Sequence, residues 1–137
     1  MRILGLDVGS KRIGLALSDE LLFTAQGLQS LERKDPETDL RAIAGLVMSN
    51  HVVEIVVGLP LSMDGTESKQ TKEVREFIVD LTGAVSVPVK AWDERLTSMQ
   101  AERAMLEADL SRAKRRKLSD KVAAQLILQS YLDARKR

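Results

Sequence analysis

The sequence predicts an α/β protein: a mixed five-stranded sheet, three antiparallel strands then parallel ones, with helices on both faces. Three observations lead there. The first thirty residues contain apolar runs separated by turns too short for a crossover, so neighbouring strands must be antiparallel. From residue 40 onward, segments with helical apolar spacing alternate with short β-branched runs, the pattern of right-handed βαβ units. The run Ile3-Leu4-Gly5-Leu6-Asp7-Val8-Gly9 is apolar or Gly at six of seven positions, which suits a strand buried on both faces at the centre of a sheet. A chain of 137 residues fits a single domain, 1–137, around one core.

In chain order, the first strand turns at Gly9-Ser10-Lys11-Arg12 into a second apolar run, Ile13 to Ser18. Leu22 to Leu31 reads as a third strand interrupted by Gly27, and Glu32 to Asp39 as a charged loop containing Pro36. Leu40, Ile43, Leu46 and Val47 recur at helical spacing, with an end expected near Asn50. Val52 to Leu59 is a β-branched strand stopped by Pro60, which cannot donate to a ladder. Asp64-Gly65 is a turn, and Thr66 is expected to cap a helix with Val74, Phe77, Ile78 and Leu81 on its apolar face, ended by Gly83. Val85 to Trp92 reads as the fifth strand. Thr97 with Gln100 fits a capping box before a helix carrying Ala101, Ala104, Met105 and Ala108. Arg112 to Lys117 reads as a basic connector, and Ser119 as the cap of a last helix with Val122, Ala123, Leu126, Ile127 and Leu128 apolar.

Composition narrows the chemistry. There is no Cys, which excludes disulfides, thiol catalysis and Cys-ligated zinc, and the single His51 excludes a His-rich metal site. No run of about 18 apolar residues marks a membrane span, and the N-terminus enters a strand without the layout of a signal peptide, so a cytoplasmic protein is expected. The net charge of +1 conceals an asymmetry. Arg112 to Arg137 holds nine Lys/Arg and two Asp/Glu, a net of +7, while the remainder carries −6. That separation suits a positive face for a polyanion.

Three carboxylates stand in suggestive places: Asp7 on the first strand, Glu94 after the fifth and Asp120 near the start of the last helix. A carboxylate in a dry strand costs several kcal/mol unless compensated. In the predicted strand order the ends of strands one, four and five lie near one another. Asp120 in a first helical turn would be favoured by the dipole, with small Ala123 and Ala124 letting that end approach the sheet. Carboxylates converging there call for Mg²⁺ or Mn²⁺, hard cations that prefer oxygen ligands. A pair of such ions about 4 Å apart can activate water and stabilise a leaving oxygen in phosphodiester cleavage.

Several motifs together resemble one family. Gly5-Leu6-Asp7-Val8-Gly9 with Ile13-Gly14-Leu15-Ala16, Gly58-Leu59-Pro60, Asp64-Gly65, Asp93-Glu94-Arg95-Leu96-Thr97 and Asp120-Lys121-Val122-Ala123-Ala124 occur in the order seen in the YqgF/RuvX family, and Ile127 to Leu132 extends the likeness. These are Holliday junction resolvases and pre-ribosomal RNA nucleases of the RNase H-like superfamily. The resemblance implies an RNase H-like fold, with Asp7, Glu94 and Asp120 as metal-binding catalytic carboxylates. The chain departs from RNase H and the RuvC resolvases, which keep an acid on the fourth strand. Here that strand ends Gly58-Leu59-Pro60, and Ala occupies position 123, where a second acid is often near. A second metal would therefore be held more weakly, and Asp93 is the alternative to Glu94.

The expected partner is nucleic acid: an RNA precursor, branched DNA or single-stranded DNA. Phosphates would meet Lys11 and Arg12 in the first hairpin, Arg95, and the cluster of Arg112, Lys114, Arg115, Arg116 and Lys117 before Asp120. A homodimer would suit a four-way junction, which presents two strands for paired cuts. Two other classes compete with a metal-dependent nuclease: a non-catalytic nucleic-acid-binding module, and a phosphate-binding ATPase or kinase. The latter needs a second lobe and a second phosphate-binding hairpin, neither of which this chain supplies.

Overall fold

The computed structural model describes residues 1–62, 64–94 and 112–135, with backbone alone over 112–120. The helix expected around Ala101 to Ala108 lies outside the described residues. Strands β1 (Arg2–Val8), β2 (Arg12–Ser18) and β3 (Ala25–Glu32) are followed by α1 (Pro36–Ser49), β4 (Val52–Leu59), α2 (Lys69–Ala84), β5 (Val89–Asp93) and α3 (Arg112–Arg135). The five strands form one sheet in the order β3-β2-β1-β4-β5. β1 is antiparallel to β2, which is antiparallel to β3, while β1–β4 and β4–β5 are parallel, as the sequence predicts.

Both faces of the sheet are covered, so alternate residues of the central strands enter two separate cores. Leu4, Leu6 and Val8 of β1 pack with Val52, Ile55, Val57 and Leu59 of β4 beneath α1 and α2. Ile3 and Val56 leave the opposite face and pack with Ala124, Ile127, Leu128, Tyr131 and Leu132 of α3. The helix lies close because Gly5 and Gly27 carry no side chain. A methyl at Gly5 would stand 2.8 Å from Leu128 Cβ, and one at Gly27 would overlap the Lys121 stem. Gly27 thus allows the crossing of α3 without breaking β3.

Several expected boundaries shift. β3 begins at Ala25 because Asp19 organises a turn before it, accepting from the amides of Phe23 and Thr24, with Leu22 at φ 63°. α1 begins at Pro36, inside the expected loop: Asp35 caps the Thr38 amide, and Pro suits the first helical position. His51, at φ 53°, follows the last turn of α1 in the left-handed conformation of a helix end. Ser68, not Thr66, caps α2 through a reciprocal box with Thr71. Thr66 is engaged by the Asp64 carboxylate, which accepts from its amide and hydroxyl. Gly83 lies inside the last turn of α2, and β5 starts at Val89, four residues later than expected.

The largest correction concerns the basic connector. Arg112 to Lys117 is helical and continuous with α3, so Ser119 is interior and caps nothing. Ala, Arg, Lys and Leu are strong helix formers, and neither Gly nor Pro interrupts the run. Asp120 is therefore the ninth residue of the helix, outside the reach of the N-terminal dipole argued for it. Among the described residues no helix is long and apolar enough to cross a membrane.

A polar network that the sequence conceals fixes α3 to the parallel half of the sheet. Tyr131 donates its hydroxyl to buried Glu54 of β4, and Lys90 of β5 lies 3.4 Å from the same carboxylate. Trp92 stands edge-on to Tyr131 at 5.2 Å and donates its indole N–H to Ser130 Oγ at 3.1 Å. Trp92 thus packs within the fold.

Candidate active site

Strand parity determines which carboxylates can meet. Gly5 of β1 lies against α3, so Asp7, two residues on, belongs to the same face of the sheet. On β5, Trp92 contacts α3; Asp93 is directed to the opposite face and Glu94 returns to the face of Asp7. Burial agrees, since Asp93 is exposed and Glu94 is half-buried. The register aligns Leu6 with Val57, Gly58 with Trp92 and Leu59 with Asp93. The Glu94 amide donates to Leu59 O at 3.3 Å, extending the β4–β5 ladder by one step.

Gly58 explains how Glu94 reaches inward. Its missing side chain would point to the α3 face between Asp7 and Trp92. A methyl there would overlap Glu94 Oε2 and stand 2.5 Å from Ile127 Cδ1. The Glu94 carboxylate thus occupies the space that a side chain on the fourth strand would fill. Burial, then the charge of Asp7, then that of Asp93 push the Glu94 carboxyl up to about 7. The structure brings Asp7 and Glu94 together as electrostatic neighbours, with Asp93 near but on the other face.

The course of α3 carries position 120 toward the same end of the sheet. Tyr131 contacts Glu54 early in β4 and Ile127 approaches Gly58 late in it, so the helix runs antiparallel to that strand. Seven residues before Ile127 is two helical turns, about 10 Å along the axis. Position 120 therefore lies beyond Ile127, at the end where β1 and β4 finish. The oxygen-only donor set and the mutual repulsion at Glu94 fit a hard divalent cation. Among the described residues no three acidic or His side chains alone form such a cluster.

The expected basic contacts are dispersed. Lys11 is exposed in the β1–β2 turn, while Arg12 lies 3.9 Å from Glu32. Arg95 lies outside the described residues. Arg112, Lys114, Arg115, Arg116 and Lys117 occupy the first turns of α3, their side chains outside the described set. Sequence reasoning missed Arg33, which clamps the turn after Asp7. Its amide donates to Lys11 O at 2.9 Å and its Nη1 to Gly9 O at 2.9 Å. Its Nε donates to the buried Asp39 carboxylate at 3.4 Å, and the guanidinium stands 5.6 Å from the Phe77 ring centroid. No spacing in the sequence signals this. The Gly58–Glu94 pairing, by contrast, was readable from strand parity once the register was known.

The profile of the family described as "RuvX: Holliday junction resolvase" matches residues 1–134. A relative in Halothermothrix orenii, named "Putative pre-16S rRNA nuclease", is 51% identical over 133 residues, 97% of this chain and 95% of its own. One of the same name in Clostridium acetobutylicum is 54% identical over 134 residues, 98% of this chain and 99% of its own. Among solved structures, T. thermophilus RuvC in complex with Holliday junction substrate superposes with a TM-score of 0.61 at 19% identity, covering 99% of this chain and 96% of that one. Fowlpox virus resolvase with its junction DNA gives 0.62 at 13% identity, covering all of both chains. At these identities the likeness is one of fold, and the fold is that of the RuvC-type, RNase H-like resolvases.

Proposed function

Since the chain belongs to the RuvX family of Holliday junction resolvases, we propose that it is a metal-dependent nuclease that hydrolyses phosphodiester bonds in nucleic acid, with Asp7, Glu94 and Asp120 as its metal-binding catalytic carboxylates. The observation that supports this most is the convergence of Asp7 and Glu94 on one face of the sheet, over a glycine that makes room for the second carboxylate. Bound Mg²⁺ or Mn²⁺ would supply Lewis acidity and a water of lowered pKa. The chain's own contributions are oxygen ligands at Asp7, Glu94 and Asp120, a central strand that fixes Asp7, and the space at Gly58. Lys11, Arg12, Arg95 and the basic first turns of α3 (Arg112, Lys114, Arg115, Arg116, Lys117) would hold the phosphate backbone.

The relatives' name and the family's description support pre-16S rRNA, Holliday junctions, or both as substrate; our reading adds that the rRNA cut is 5′-end processing and that the work is done in the cytoplasm. Junction cleavage predicts a homodimer, since two strands must be cut in concert; rRNA processing makes no such demand. The test is cleavage of labelled junction DNA, single-stranded DNA and rRNA precursor with Mg²⁺ or Mn²⁺, beside Asp7→Asn and a calorimetric metal titration. The proposal expects cleavage and metal binding by the wild type and loss of both in Asp7→Asn. Tight binding of nucleic acid without cleavage under any metal would favour the non-catalytic binding module instead.

A further inference from the structure

On the other face of the same strand end lies an open cavity of about 480 Å³, bounded by Val8, the Gly9-Ser10 turn, Arg33 and the first turns of α2. Val8 and Asp7 are successive residues of β1, so the cavity and the carboxylates share one sheet end with the turn between them. From Asp7 to Ser10 the chain can span at most about 11 Å. Successive charges along one strand of a duplex recur every 3.4 Å of axis, so the two places are a few nucleotides apart.

The lining combines two cations, Arg33 and Lys69, with one acid, Glu73, and neutral donors. Arg33 uses two of its five N–H groups, on Asp39 and Gly9, and is further fixed by the Phe77 ring. Three donors remain on a guanidinium already held in place, which reduces the entropic cost of engaging an anion. Lys69 opens α2, where a cation opposes the helix dipole, and no acid in that first turn offsets it. Its position therefore does not serve the helix. Its salt bridge to Glu73 is 3.9 Å long and exposed, a pair weak enough to be exchanged for a ligand. Ser10 and Gln70 add neutral donors at the rim.

We propose that this cavity is a subsite for a backbone phosphate that flanks the bond being cut, held by Arg33 and Lys69. The inference rests on the nuclease reading above and extends it, by giving the nucleic acid a second anchor across the sheet end from the carboxylates. Lys69→Gln and Glu73→Gln test it, because both side chains are exposed and Gln is a good helix former. Affinity for a labelled single strand is measured against salt in chelator, where no cleavage intervenes. The same strand is then made with one neutral methylphosphonate at each position in turn.

Lys69→Gln should weaken binding and flatten the log–log salt dependence by about 0.7, the increment of one single-strand phosphate contact. Glu73→Gln should tighten binding. One methylphosphonate position should cost the wild type affinity and cost Lys69→Gln less, since only Arg33 then remains on that phosphate. Salt lines for both variants coincident with the wild type, or methylphosphonate effects that are the same in Lys69→Gln at every position, would overturn the subsite. The nuclease reading is judged separately, by cleavage in wild type and Asp7→Asn.

Discussion

At the scale of the residue, the site turns on Glu94. Its carboxyl titrates at about 7 in the folded protein, against an ordinary value near 4.5. A carboxyl raised in this way favours the folded state while protonated, and that contribution is lost as pH rises from about 4.5 through 7. Without divalent cation the protein should therefore lose stability across this window. Glu94→Gln, which keeps the neutral form, should flatten the dependence; urea midpoints at pH 5 and pH 8 in chelator check it. Asp93→Asn should impair cleavage far less than Glu94→Gln, because Asp93 leaves the opposite face of β5; relative cleavage rates decide between the two neighbours. Sequence alone left Asp93 and Glu94 as alternatives because they are adjacent acids. What separates them is parity along β5, whose α3-facing side is identified only by the contacts of Trp92 with that helix.

At the scale of the element, α3 carries most of what was and was not legible. Its apolar stripe from Val122 to Leu128 was evident from spacing, but its start was not. Like charges at Lys114 to Lys117 suggested a connector, yet helix propensity summed over the segment outweighs repulsion that solvent screens. The helical geometry changes an expectation about nucleic acid. Four consecutive helical residues are spread over about 300° of the axis, so they cannot all meet one backbone. Replacing Lys114, Arg115, Arg116 and Lys117 together should flatten the salt dependence by about two contacts rather than four, measured as the slope of log affinity against log salt. The anchor at the other end of α3 was invisible because Glu54 and Tyr131 are 77 residues apart in sequence. Tyr131→Phe leaves buried Glu54 without that donor and should cost about 1–2 kcal/mol in urea unfolding, with Lys90 retaining part of the interaction.

At the scale of the whole molecule, the fold class and the antiparallel and parallel pairings followed from turn lengths and the alternation of periods, which are local signals. The meeting of Asp7 of β1 with Glu94 at the end of β5 is a property of topology, so no single segment announces it. A cation bound between elements so distant in sequence stabilises the folded chain by mass action. Millimolar Mg²⁺ or Mn²⁺ should raise Tm in the wild type, and Asp7→Asn should abolish the rise; thermal melts with and without chelator measure it. Such a shift reports binding independently of cleavage.

The space over Gly58 has a consequence for how such sites change through descent. A carboxylate carried by β4 and one arriving from the end of β5 compete for one volume, so the two arrangements are mutually exclusive genotypes. Gly58→Asp alone would crowd a third acid against Asp7 and Glu94, and Glu94→Ala alone would empty the position. Either step should abolish cleavage, whereas Gly58→Asp with Glu94→Ala should recover part of it, a case of reciprocal sign epistasis. Lineages on the two sides of that valley would perform the same chemistry with ligands that no column-by-column sequence comparison aligns.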